Sequence, residues 1–227
     1  MRLKRRNFFV FALVAILNAA PAARAATLTD IVTSVDVLPG DEWVYRDLED
    51  VQHSGEALTE IYSVVSVGSD RIDAIMTTDA GWLTKSTRPI IYNRSWSVEA
   101  TARFVNSSPN TTFGIVLPLR VGSRWNSRYD VQAKSFSAIS HGTSQSVVTN
   151  AERVTLPTGQ TFDTFRISSL SNEKSADGRT ETATRATVWY CPEVNRYVQR
   201  IVEIRVNGAV TARRTQYLLT YSHQPTS

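Results

Sequence analysis

Residues 198–221 read VQRIVEIRVNGAVTARRTQYLLTY, and this stretch decides the fold class. Val198, Val202, Ile204 and Val206 share one face of an alternating run, which Arg200 interrupts. Asn207-Gly208 follows, the dipeptide best suited to a two-residue turn with both residues at positive φ. The returning run puts Thr215, Tyr217, Leu219 and Tyr221 on one side, and Arg214, Gln216 and Thr220 on the other with Leu218 among them. A period of two on both sides of such a turn is a β-hairpin. Two-residue connections join only antiparallel neighbours, so parallel crossovers are ruled out here.

The same grammar extends upstream. Ile61, Ser63, Val65 and Val67 alternate with Tyr62, Val64 and Ser66. Gly68-Ser69-Asp70 turns the chain, and Ile72, Ala74 and Met76 alternate with Arg71, Asp73 and Ile75. Further turns are expected at Asp79-Ala80-Gly81, Ser107-Ser108-Pro109-Asn110, Pro157-Thr158-Gly159 and Ala176-Asp177-Gly178. About ten or eleven short strands result, joined as an antiparallel meander. Leu28, Ile31, Val32 and Val35 fall at helical spacing and predict a short helix ahead of the sheet. The expected architecture is therefore all-β: one highly curved antiparallel sheet, a half-barrel or open barrel, with a short N-terminal helix. A faint internal echo links Gly40-Asp41-Glu42-Trp43 with Gly122-Ser123-Arg124-Trp125, each a turn that opens a strand with tryptophan.

The N-terminus has a different grammar. Arg2, Lys4, Arg5 and Arg6 precede the apolar run Phe8–Leu17, and Ala23-Arg24-Ala25 places small residues at a cleavage site. This is the pattern of a secretory signal peptide, cut after Ala25. The expected organisation is a leader over 1–25, one β-rich periplasmic domain over 26–222, and a frayed tail over 223–227. Removing the leader removes five of the 25 Lys+Arg residues (Arg2, Lys4, Arg5, Arg6, Arg24), leaving 20 against 21 Asp+Glu. The formal charge of +4 thus belongs to the leader, and nucleic acid is not an expected partner. No later apolar run approaches the roughly 20 residues of a membrane helix, so no transmembrane segment is expected in the mature chain. The single cysteine, Cys191, cannot form an internal disulfide.

Three segments in order carry a resemblance. They are Pro118-Leu119-Arg120-Val121-Gly122-Ser123-Arg124-Trp125, then Glu152-Arg153-Val154 through Pro157-Thr158-Gly159 to Phe162, and Trp189-Tyr190-Cys191-Pro192. The order resembles a loose group of exported bacterial proteins of the TapB-like type, with a PL-x-x-G-x-x-W segment, a Pro-Gly turn and a WY-x-P strand end. In outline such proteins are similar to periplasmic half-barrels that carry lipoproteins. The resemblance implies an exported all-β domain and transfers no catalytic residue.

The residues that could carry chemistry each have a plain structural reading. Cys191 precedes proline and lacks a neighbouring base among His53, His141 and His223, so it reads as a small packing residue at a strand end. One cysteine and three scattered histidines make no zinc spacing. Asp47-Leu48-Glu49-Asp50 lacks calcium-loop punctuation and reads as a solvated turn. His141-Gly142-Thr143-Ser144 is no nucleophile elbow. Glu152 and Glu203 read as outward ion-pair residues, and the glycosylation-type triplets at Asn93, Asn106 and Asn110 as polar loops. No catalytic residue, metal or cofactor is expected. The aromatics Trp43, Trp82, Trp96, Trp125, Trp189 and Tyr190 fill the concave face of the sheet, or some of them line an apolar groove. Trp125, Trp189, Trp43 and Tyr190 are the candidate ligand-binding residues. The expected function is non-catalytic, with a lipid, an acyl chain or an envelope protein as partner. The alternatives are a hydrolase built on carboxylates brought together by the fold, and an interaction module that binds through sheet edges.

Overall fold

The alternation of the C-terminal hairpin continues around the chain until the last strand meets the first. The computed structural model describes residues 32–50, 57–81, 85–110, 114–135 and 138–224. These form β1 (Glu42–Glu49), β2 (Ala57–Val67), β3 (Arg71–Asp79), β4 (Ser86–Asn93), β5 (Val98–Thr101) and β6 (Phe104–Asn110). They continue as β7 (Arg124–Ala133), β8 (Ile139–Thr155), β9 (Thr161–Lys174), β10 (Glu181–Cys191), β11 (Arg196–Val206) and β12 (Ala209–Ser222). Each strand pairs antiparallel with its sequence neighbours, and β1 pairs with β12 from Glu42↔Ser222 to Glu49↔Arg214.

The sheet is therefore a closed barrel, which corrects the expectation of a half-barrel or open barrel. Closure rests on contact between the two ends of the chain, and local alternation carries no mark of such a pairing. The expected N-terminal helix is corrected as well. Its residues up to Ile31 lie outside the described residues, and Val32 forms an extended bridge with Leu119. Val35 and Val37 are both buried with Asp36 exposed between them, a period of two instead of 3.6. The Ser107–Asn110 segment lies within β6 and is no turn. The Asn207-Gly208 turn forms as read, with φ of 49° and 84°.

Much of the wall turns apolar side chains inward, while Ser144, Ser146, Ser169, Ser171 and Gln216 are buried there as well. Trp43, Tyr45, Tyr62, Ile72, Phe165, Ile167, Val188 and Leu218 are buried in one continuous core. Each such side chain contributes about 1.5–3 kcal/mol on full burial. Outside, Arg71 pairs with Asp73, Arg153 with Asp163, and Glu203 with both Arg205 and Arg213. One end of the barrel is covered by two extended segments that bridge at Val32 and Leu119 and bury Val35, Val37, Ile115 and Leu119.

The sequence echo has a structural counterpart. Gly40 (φ 91°) donates to the Val64 carbonyl, and Val64 donates back to Asp41. Gly122 (φ 87°) donates to the Val148 carbonyl, and Val148 donates back to Ser123. The pairing register then slips just after Val64 in one case and just after Val148 in the other. The corner that opens β1 is thus rebuilt at β7, halfway around the ring.

Tyr129 and Gly142 face each other across β7 and β8, and the tyrosine ring lies directly over the glycine. A Cβ at position 142 would sit 2.3 Å from the Tyr129 Cζ. Gly142→Ala is expected to cost about 1–3 kcal/mol through overpacking, measured by urea denaturation. In a Tyr129→Ala background the same substitution should cost almost nothing, because the clash partner is gone.

Candidate ligand cavity

The inward side chains of β2, β3, β4, β5, β6, β10, β11 and β12 leave a cavity of about 370 Å³ inside the barrel. Its floor is fully buried and its far rim, at Leu58, Thr78, Arg88 and Thr101, is half-buried. That rim lies at the end opposite the covering segments, where β3 runs into β4 and β5 into β6.

The floor is built around one arginine. Arg196 opens β11 and is 3% exposed. Its guanidinium carbon lies 4.3 Å from the Tyr62 ring centroid, 4.5 Å from Trp96 and 5.2 Å from Trp43. Tyr92 and Tyr197 follow at 5.3 Å and Tyr45 at 6.0 Å. The rings hold one another: Tyr45 stacks on Tyr197 at 4.6 Å, and Trp96 meets Trp43 and Tyr92 edge-on. Their polar ends are tied to backbone. Trp43 Nε1 donates to the Val194 carbonyl, Trp96 Nε1 to Asn195, and the Tyr45 hydroxyl to Tyr197. Trp96 reaches its place from a left-handed backbone (φ 62°), a conformation costly for a bulky residue and sustained here by its buried contacts.

Among the described residues no carboxylate pairs with Arg196. Its charge is met by ring faces and by one hydrogen bond from Nη2 to the Tyr92 hydroxyl, 3.2 Å. Desolvated cation–π contacts reach about 2 kcal/mol each, so several together offset much of a burial cost of several kcal/mol. Burial disfavours the charge, yet the surrounding tyrosines keep Arg196 firmly protonated.

A polar network stands above the floor. Gln216 Nε2 donates to Asp47 at 2.8 Å and to Glu60 at 2.7 Å. Arg214 Nη2 donates to both carboxylates, and the Tyr62 hydroxyl donates to Glu60 at 2.7 Å. Burial acts to raise the Glu60 carboxyl, but Arg200, Arg214 and the two neutral donors outweigh it and hold the pKa below its ordinary value. For Asp47 burial prevails, reinforced by the Glu60 charge, and the pKa is raised. The acidic run expected as a solvated turn therefore begins inside the barrel, with Asp47 1% exposed.

The four candidate residues separate. Tyr190 lines the cavity. Trp43 lies beneath it as a wall of the arginine cage. Trp125 is buried in β7, away from the cavity lining. Trp189 points outward from β10, donating to Glu152 Oε1 at 2.6 Å with Arg166 over its ring. Trp82 lies outside the described residues. The sequence reading missed Arg196, Arg200, Arg214 and Glu60; the one available signal was Arg200 breaking an apolar face.

Cys191 is fully buried, and burial pushes its thiol up to about 11 despite backbone donors from Val194 and Glu193. His141 pairs with Asp130 on the surface. His223 and Gln224, at the start of the segment expected to fray, bond Asp41. His53 lies outside the described residues. Maleimide labelling at pH 8 is therefore expected to be negligible in the native protein and complete in denaturant, because both access and thiolate are lacking. Rapid native labelling would contradict the packing assigned to Cys191.

Comparison with known proteins locates the fold and nothing finer. The structure is similar to that of a candidate lipoprotein from Parabacteroides distasonis ATCC 8503, with a TM-score of 0.53 and 14% identity over 84% of this chain and 100% of that one. An exported-protein candidate with a YmcC-like fold from Bacteroides fragilis NCTC 9343 gives 0.49 at 14% identity, over 84% and 99%. The hypothetical lipoprotein YmcC from Escherichia coli gives 0.46 at 10% identity, over 85% and 93%. No family model and no curated protein matches the sequence.

Proposed function

We propose that this chain is an exported, non-catalytic binding protein of the bacterial periplasm, released from its leader after Ala25, whose barrel holds an apolar ligand. The observation that carries this reading is the interior cavity, whose volume of about 370 Å³ falls in the range of small-molecule sites. Leu58, Met76, Ile90, Val98 and Phe104 give its lining an apolar component. The alternative of a hydrolase built on carboxylates would need a carboxyl pair presented to its substrate. The interior carboxylates, Asp47 and Glu60, are instead engaged by Gln216 and Arg214. Barrel closure also removes the open sheet edge on which an interaction module would depend.

The test is native mass spectrometry of the protein purified from the periplasm, followed by organic extraction. A discrete lipid-sized adduct is expected, released on denaturation. A bare mass, together with no binding of added alkyl-chain compounds, would overturn the reading.

A further inference from the structure

The cavity has two unlike walls. β2 to β6 contribute most of the apolar lining together with Glu60 and Arg88, whereas β11 and β12 contribute Arg196, Arg200 and Arg214. Four guanidinium groups thus face one lining carboxylate, Glu60, with Asp47 behind it. Both acids are bonded to Arg214 and Gln216. Among the described residues neither Arg88 nor Arg196 belongs to an ion pair, so the cavity carries uncompensated positive charge.

The hydrogen-bond inventory points the same way. Buried atoms without a partner include Nε and Nη1 of Arg196, Nε of Arg88, Nε of Arg214, Oγ1 of Thr78 and the hydroxyl of Tyr190. Every one of these residues lines the cavity. Four of the six atoms are N–H donors that cannot accept, and the two hydroxyls can also donate. Buried donors left unmatched are costly, and an anionic oxygen is the acceptor that returns most. A cationic ligand is disfavoured twice. The field opposes it, and the aromatic cage that would receive an ammonium group is already filled by Arg196.

We infer that the ligand is an amphipathic anion: one acidic head, carboxylate or phosphate, on an apolar body. The head lies among the guanidinium groups of Arg88, Arg196, Arg200 and Arg214, and the body along Leu58, Met76, Ile90, Val98 and Phe104. This assignment rests on the apolar-ligand reading above and specifies its chemistry.

The test compares decanoate, decyl phosphate, decanol, decyltrimethylammonium and inorganic phosphate by calorimetry on delipidated protein. Decanoate or decyl phosphate is expected to bind at least about ten-fold more tightly than decanol, as charge-assisted bonds allow. Whichever of the two binds more tightly identifies the head as carboxylate or phosphate. Arg88→Gln at the half-buried rim should weaken binding of the anions several-fold more than binding of decanol. Arg200→Gln is the second variant, and near-UV circular dichroism verifies that both fold. Equal binding of decanol and the anions would overturn the anion assignment while the apolar-ligand reading stands. Preferential binding of the ammonium compound would also overturn it. Inorganic phosphate binding as tightly as decyl phosphate would remove the apolar body from the assignment. Failure of every alkyl compound would overturn the apolar-ligand reading itself.

Discussion

Arg196→Ala lowers the unfolding free energy by about 3–5 kcal/mol, the range for emptying a large buried site or stranding a buried polar partner. Three losses combine. The rings of Tyr62, Trp96, Trp43, Tyr92, Tyr197 and Tyr45 lose the group they surround. The Tyr92 hydroxyl loses its guanidinium donor. A cavity opens among aromatics that are fixed to Val194, Asn195 and Tyr197 and cannot collapse freely. For a domain of this size the midpoint temperature should fall by about 6–20 °C. Arg196→Met should cost distinctly less, because it refills volume and removes the need to desolvate a charge. Arg196→Lys keeps the charge but places a compact, strongly hydrated ammonium where a flat, weakly hydrated group lay between rings. It should therefore fare worse than Met. Thermal and urea unfolding of the three variants ranks them. If Ala is as stable as the parent, the cage does not organise the barrel floor.

Deleting β12 should have a still larger effect. A chain ending at Asn207 loses the strand that joins β11 to β1, together with Leu218 and Gln216, which are 0% and 1% exposed. Asp47 then loses both Arg214 and Gln216, and Glu60 keeps only Arg200 and the Tyr62 hydroxyl of its former partners. Two long strand edges open as well. The expected result is no cooperative unfolding transition and rapid proteolysis throughout. A truncated chain that still melted cooperatively would mean that an open sheet suffices and that the β1–β12 pairing contributes little.

The same seam marks the limit of what could be read from residues alone. Strand class, meander order and the Asn207-Gly208 turn were legible because each is encoded by neighbours in sequence. Closure was not, because it depends on whether Glu42–Glu49 meets Glu49's distant partner Arg214 and the rest of β12. The site was legible only in fragments. Tyr190 was chosen for its aromatic bulk and does line the cavity, whereas Trp189, one residue earlier, faces the other side of the sheet. Alternation makes one position the difference between inside and outside. The arginines were passed over because charge normally marks an outer face. Yet Arg200 fell in register with Val198 and Val202, and Gln216 in register with Leu218. In β12 the more polar face is the inward one.

The paired corners at Gly40 and Gly122 divide the barrel into two six-strand halves with matching local geometry. The turn at Asn93–Trp96 recurs at Pro192–Asn195, each with a left-handed residue in its fourth position and the same closing backbone bond. Next in line stands buried Ser97 in one half and Arg196 in the other. One half thus supplies the tryptophan and the other the cation, and the two meet at 4.5 Å. The cavity floor is thus built where the two halves differ, its cation coming from one and its tryptophan from the other.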